Sequence, residues 1–298
     1  MNFRKIELDN KPIFDEFFQK NYYENAHLNF TNLFMWRNVY QIEWTVEEEF
    51  LYIRAAWGTH NFALQPIGPD DLLDNAIGKW QQYFKETGNP FTLRGVEARV
   101  ANLIEQLMPG EFTFTSDRDN YDYVYRAQDL IELKGRSYHS KKNHVNSFRK
   151  NHSDAEYLPL TSDLIEQCIA NTNEWCKKRG CSKDPMLLAE KNAIVEVFSN
   201  FDVLKLVGGV VLVDKKVEAF SFGERLNKDT AVIHVEKANP DIKGIYAAIN
   251  QEFCKHSWGS MEYINREEDM GIPGLRKAKQ SYHPVKMIEK YTVTLSEQ

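Results

Sequence analysis

Residues 203–238 alternate three strand-like runs with two short polar turns, and no other feature constrains the fold as much. The runs are VLKLVGGVVLV (203–213), VEAFSFGERL (217–226) and TAVIHVEKA (230–238). Asp214-Lys215-Lys216 and Asn227-Lys228-Asp229 separate them. Strands joined by so few residues pair antiparallel, because a parallel crossover needs a dozen residues or more. Two helical patterns precede this meander, 163–179 with Gly180 as its stop and 187–198. After it come a loop at 239–246, the helical AAINQEFCKHSW, and strand-like runs at 261–265 and 286–295. The second half therefore reads as α+β with a mostly antiparallel sheet.

The first half has the same flavour. Residues 11–20 read as an amphipathic helix, and 32–44 is aromatic and ends strand-like. Strands are expected at 50–57, 60–68, 91–93, 111–116 and 121–127. Helices are expected at 70–86, through Leu73, Ile77, Trp80 and Phe84, and at 96–107 before Pro109-Gly110. His27, Trp36 and Trp57 are expected to serve this half's core.

Composition narrows the class. The 298 residues are 42% apolar and 13% aromatic, enough for one large core or two ordinary ones. Cys168, Cys176, Cys181 and Cys254 form no CxxC pair and no zinc-type spacing, so idle or buried thiols and no metal site are expected. The start, MNFRKIELDNKPIF, has no apolar leader, and no run is long enough to span a membrane. A cytoplasmic location follows as an expectation.

Charge is unevenly spread. The chain carries net charge -6, yet residues 133–153 hold Lys134, Arg136, Lys141, Lys142, Arg149 and Lys150 without one acid. A local anionic partner is expected: a nucleotide, a coenzyme A-type carrier or RNA. If 136–152 is a helix, Tyr138, Val145 and Phe148 dock it, while Lys142, Asn146, Arg149 and Lys150 share another face. The ordinary alternative is a solvated helix paired with acids on a neighbour.

The order helix, helix, three antiparallel strands, loop and helix, strand, loop, strand resembles the acyltransferase fold of the GNAT superfamily. A looser repeat of that order in the first half suggests a tandem of two GNAT-like units, 1–130 and 131–298, joined near 125–135. Three segments also resemble the C-terminal domain family of phosphatidylglycerol lysyltransferase, which is related in fold to the Fem aminoacyltransferases. They are YDYVYRAQDLIELKGRSYHSKKNHVNSFRKNH, GIYAAINQEFCKHSWGSMEYIN and NREEDMGIPGLRKAKQSYHPVKMIEKY. In the last, Leu275, Lys279, Tyr282, Pro284 and Tyr291 fall where the family's leucine, lysine, aromatic, proline and tyrosine recur. The charged NREEDMG departs from the mostly apolar, glycine-bearing stretch of the lysyltransferases and points away from a lipid acceptor.

The resemblance implies an N-acyltransferase that uses aminoacyl-tRNA, or acyl-CoA, as donor toward an amine or hydroxyl acceptor. Glu268 and Asp269 are the candidates for taking the acceptor's proton. Arg266, Glu267, Arg276, Lys279 and Tyr282 are candidates for holding substrate, the arginines by bidentate pairing. Lys141, Lys142, His144 and Arg149, with Lys243, Gly244 and Tyr246 ahead of the next helix, are candidates for donor phosphate. Glu224 and Glu236 are candidates to face each other across their hairpin, one of them as a buried base; the more common case for such a carboxylate is pairing with Arg or Lys. Two other readings stay open: acetyl-CoA-dependent acetylation of a small amine, and a non-catalytic phosphate-ligand or RNA-binding protein.

Overall fold

The computed structural model describes residues 1–297. In chain order, the elements up to the middle of the chain are β1 (Arg4–Lys5), α1 (Lys11–Lys20), α2 (Phe30–Trp36), β2 (Glu43–Glu47), β3 (Phe50–Trp57), β4 (His60–Ala63), α3 (Leu73–Thr87), β5 (Thr92–Glu97), α4 (Ala98–Leu107) and β6 (Phe112–Ser116). There follow β7 (Asp122–Arg126), α5 (Ala127–Glu132), α6 (His139–Asn151), β8 (Glu156–Pro159), α7 (Ile165–Arg179), α8 (Pro185–Ser199) and α9 (Phe201–Leu204). The meander is β9 (Val207–Val213), β10 (Lys216–Arg225) and β11 (Thr230–Ala238). Then come α10 (Ile245–Ser257), β12 (Tyr263–Asn265), α11 (Pro273–Gln280), β13 (Lys286–Ile288) and β14 (Lys290–Leu295).

The residues group into two compact units. One holds Met1–Asp122, Glu268–Ile272 and the chain from Met287 onward; the other holds Tyr123–Glu267 and Pro273–Lys286. The first sheet runs β1-β2-β3-β4-β5-β14-β6 and the second β8-β9-β10-β11-β12-β7-β13. The two orders match place for place. Each has a parallel pair between its fourth and fifth strands, Ala63 on Leu93 in one and Thr230–Val232 on Tyr263–Asn265 in the other.

In each sheet the strand beside the fifth comes from the other half of the sequence. β14, at the end of the chain, lies between β5 and β6. β7, which follows β6 in sequence, enters the second sheet beside β12. Residues 286–295, read as one strand, are two, interrupted at Glu289. Val293 of β14 is fully buried with Leu93 and Val96, which anchors that strand in the first core.

Helices form where the apolar spacing says they should. In α3, Leu73, Ile77, Trp80 and Phe84 are all buried, and Gly88 ends the helix at φ 68. Burying each such side chain contributes roughly 1.5–3 kcal/mol. In the second unit, Phe148 of α6 packs with Ala248 and Ile249 of α10 and with Val211 and Ala219 of the sheet.

Four expectations are corrected. Residues 203–206 are not strand: Phe201–Leu204 is a helical turn, closed by Lys205 at φ 57. Glu224 and Glu236 do not oppose one another, since the register sets Ser221 against Glu236 and Glu224 against Val232. Cys176 and Cys181 are not idle thiols but joined in a disulfide across the end of α7, with Cα atoms 5.2 Å apart; Cys168 and Cys254 are free and buried. Trp57 is 42% exposed rather than core. The short α5, α11, β1 and β8 had no clear signal in the sequence.

Candidate active site in the second unit

Parallel pairing of β11 with β12 ends at Val232 and Asn265, while β11 continues six residues further to Ala238. The two strands part there, and backbone groups on the inner edge of β11 lose their partner strand. His234 and Glu236 lie in this stretch, His234 at the irregularity that shifts the register between β10 and β11. Arg266, the first residue past β12, fills the parting. Its Nη2 donates to Glu236 Oε1 at 3.1 Å, and Asn250 Nδ2 of α10 donates to Glu236 Oε2 at 2.9 Å. Burial opposes the charge on Arg266, but Glu236 outweighs it and the guanidinium pKa goes up.

Aromatic rings wall this pair. Arg266 Cζ is 4.7 Å from the Tyr282 ring centroid and 5.6 Å from that of Tyr125, and the two rings meet edge-on. Burial raises the pKa of both phenols. The Tyr125 hydroxyl donates to the Lys279 carbonyl at 2.8 Å, and Lys279 Nζ donates to the Arg266 carbonyl, so α11 and the segment after β12 brace each other. Lys141 of α6 lies with Nζ 4.1 Å from the Tyr282 centroid. Burial first, and Arg266 second, lower its pKa to about 8.

Beside this pair, His234 is held by two carboxylates. Its Nδ1 is 2.9 Å from Glu267 Oε1 and its Nε2 is 3.1 Å from Glu224 Oε1. Burial works against the charged ring, yet the bonds to Glu224 and Glu267 raise its pKa to about 9. Glu267 sits at φ 56, its N–H bonded to Asn265 Oδ1 at 2.8 Å. A β-branched residue would be strained there.

The expected site residues are thus distributed as follows. Arg266, Lys279, Tyr282 and Lys141 come together around Glu236, and Glu267 is joined to His234. Arg276 lies on α11, partly exposed. On α6, Lys142, His144 and Arg149 are exposed, and Arg149 pairs with Glu252 at 2.5 Å. Lys243 is exposed in the loop before α10. Gly244 caps that helix at φ 88, and a Cβ there would meet the His144 carbonyl oxygen at 2.3 Å. The Tyr246 hydroxyl accepts from Trp175 Nε1 at 3.2 Å.

Glu268 and Asp269 group with the first unit. Glu268 Oε2 is 3.3 Å from His27 Nε2 and 3.9 Å from Lys290 Nζ, and its side chain is 17% exposed. His27 is therefore part of a polar cluster rather than the apolar core. Asp269 is fully buried; its Oδ1 accepts from Gly271 N at 2.9 Å and its Oδ2 is 3.4 Å from Arg118 Nη1. The parting of β4 from β5, the first unit's counterpart of the site, is occupied by its own chain. Buried Glu97 accepts from the N–H groups of Glu24 and Asn25 at 2.8 and 2.7 Å, and Asn25 Nδ2 donates to the Gly95 carbonyl. Burial pushes the Glu97 carboxyl up to about 7.

Tyr125, Asn250 and His27 were not singled out from sequence as site residues. Glu236 and His234 had a signal, as polar residues in a run that also holds Ala231, Val232, Ile233 and Val235. Among the described residues no cluster of His, Cys, Asp and Glu could hold a metal ion, and no helix is long and apolar enough to cross a membrane.

Two sheets of this strand order, each parted after a parallel pair, define a tandem GNAT-type fold. A tandem GNAT protein from the clavulanic acid biosynthesis pathway shares it, with TM-score 0.51 at 5% identity over 100% of this chain and 99% of that one. Residues 20–294 match the family described as phosphatidylglycerol lysyltransferase, C-terminal, and the chain belongs to that family. A conserved protein of unknown function from Bacteroides thetaiotaomicron is 38% identical, with TM-score 0.94 over 99% of this chain and 100% of that one. The L-PGS of Bacillus licheniformis has TM-score 0.68 at 12% identity over 99% of this chain and 94% of that one. No curated protein shows significant sequence similarity. Family and fold are those of the GNAT/Fem-like acyltransferases related to lysylphosphatidylglycerol synthase.

Proposed function

We propose that this chain moves an aminoacyl group from aminoacyl-tRNA to an amine or hydroxyl acceptor. The observation that carries the choice of donor is the double role of α6. In this fold, a coenzyme A pyrophosphate is met by free N–H groups at the start of the helix after the fourth strand. Here α6 lies against that start: Gly244 is so near the His144 carbonyl that no Cβ fits between them. The outer face of the same helix presents Lys142 and Lys150, both exposed, with Arg136 just ahead of it. A row of lysines on a helix suits a polyanion, whose counterions are released on binding.

The chemistry is aminolysis or its hydroxyl equivalent. The acceptor nitrogen or oxygen attacks the ester carbonyl and gives up a proton. The new bond to carbon forms, the ester C–O bond breaks, and the terminal ribose hydroxyl leaves with a proton. We assign the acceptor's proton to Glu268, a carboxylate beside His27 that reaches solvent. Asp269, being buried, holds the 269–272 turn.

The test is a titration with charged tRNA, uncharged tRNA and acetyl-CoA at two salt concentrations, followed by transfer of a radiolabelled aminoacyl group to small amines. Binding of tRNA should weaken with salt, and the Lys142→Glu/Lys150→Glu variant should lower the salt slope by about two. Saturable acetyl-CoA binding with no tRNA binding would replace this reading with an acetyltransferase one.

A further inference from the structure

Lys141 and Arg266 bring two cations to one ring. Their charged ends lie 4.1 and 4.7 Å from the Tyr282 centroid. Arg266 spends Nη2 on Glu236, but its Nη1 is buried and meets no acceptor. Lys141 is half-buried, and among the described residues its ammonium has no hydrogen-bond acceptor and no ion pair. Its ammonium lies against an aromatic face rather than beside a carboxylate. Of the two cations, only Arg266 is bonded to the Glu236 carboxylate.

An unsatisfied buried guanidinium donor is costly, and charge-assisted bonds to an anionic oxygen are the strongest way to satisfy one. Such an oxygen would also relieve the repulsion that Arg266 exerts on Lys141, whose pKa of about 8 records that repulsion together with burial. The phenol rings of Tyr282 and Tyr125 supply apolar walls, as small-ligand sites commonly have.

We propose that Lys141 and Arg266 form, against the Tyr282 ring, a binding site for one anionic oxygen group, a carboxylate or a phosphodiester, of a ligand. This site stands whether or not the chain transfers acyl groups, since it needs only binding.

The experiment follows the side-chain amine of Lys141 by NMR on the full chain with ¹³C-methylated lysines, titrating pH with and without acetate or dimethyl phosphate. Either anion that occupies the site should raise the Lys141 pKa by about one unit or more. With binding followed by calorimetry, Lys141→Met, which keeps the stem, should abolish saturable binding, while the surface control Lys255→Met should leave it intact. Acetate alone acting would identify a carboxylate; dimethyl phosphate alone, a phosphodiester. If neither probe moves the Lys141 pKa, or if Lys141→Met binds as the parent does, the proposal is wrong. No turnover is measured, so a failure of the transfer reading leaves this result untouched.

Discussion

Lys290 and Asp122 are joined at 2.7 Å with neither side chain reaching solvent. Asp122 turns its second oxygen to the Ala26 N–H at 2.8 Å, and Lys290 Nζ also lies 3.3 Å from His27 Nε2. The pair thereby ties β14 to the segment 26–27 inside the first unit. Removing one partner strands a buried charge, which costs about 3–5 kcal/mol. Urea denaturation should show that loss in Lys290→Met. Lys290→Met/Asp122→Asn should recover part of it, because the aspartate charge goes while the acceptor for Ala26 stays. Equal stability of single and double variants would deny the pair this role.

The imidazole of His234 makes stability depend on pH. Its folded pKa of about 9 lies above the value near 6.5 expected of an unfolded chain. A raised pKa means the folded state binds the extra proton. The contribution is complete below about pH 6.5 and is lost as pH rises through about 9. Lys141, lowered to about 8, acts in the opposite sense above that pH, so the comparison must be with His234→Gln, which removes only the histidine. Unfolding midpoints measured from roughly pH 6 to 9.5 should fall more steeply with pH in the parent than in the variant. Parallel curves would mean that Glu224 and Glu267 do not hold a charged ring.

Gly244 fulfils two demands at once. Its φ of 88 disfavours any side chain, and the missing Cβ leaves room for the His144 carbonyl. Gly244→Ala should therefore destabilise the second unit by roughly 1–3 kcal/mol, read by thermal unfolding. Gly110 also has positive φ, but nothing lies within 4 Å of its would-be Cβ. Gly110→Ala should show the smaller, purely conformational loss. If the two substitutions cost the same, the approach of α6 to α10 is not what requires glycine.

How much of this was written in the chain depends on range. The meander was legible because its turns are local: Asp214 and Lys215 adopt positive φ where the polar turn was expected. The basic helix and its docking face were legible because Val145 and Phe148 recur at helical spacing and are both buried. Tyr125 and Asn250 were not, because they join Arg266 through strand and helix packing that no short window contains. Glu236 was legible as a carboxylate that an Arg or Lys would pair, and Arg266 does so; its alternative partner Glu224 lies opposite Val232 instead, because cross-strand register is set by the whole ladder and not by any short window. The disulfide went unseen because a spacing of five residues fits no common cysteine pattern, and only the end of α7 brings the two together.

The exchanged strands bear on how the protein is made. On a ribosome, every strand of the second sheet has been synthesised by Ile288, but the first sheet still lacks the strand between β5 and β6. The half of the molecule that is translated first is therefore the half that must wait longest to close. Until β14 emerges, β5 and β6 present unpaired edges, the condition in which nascent chains attract chaperones or one another. A gene cut at the middle would likewise not give two self-sufficient pieces, because each would carry a strand the other needs.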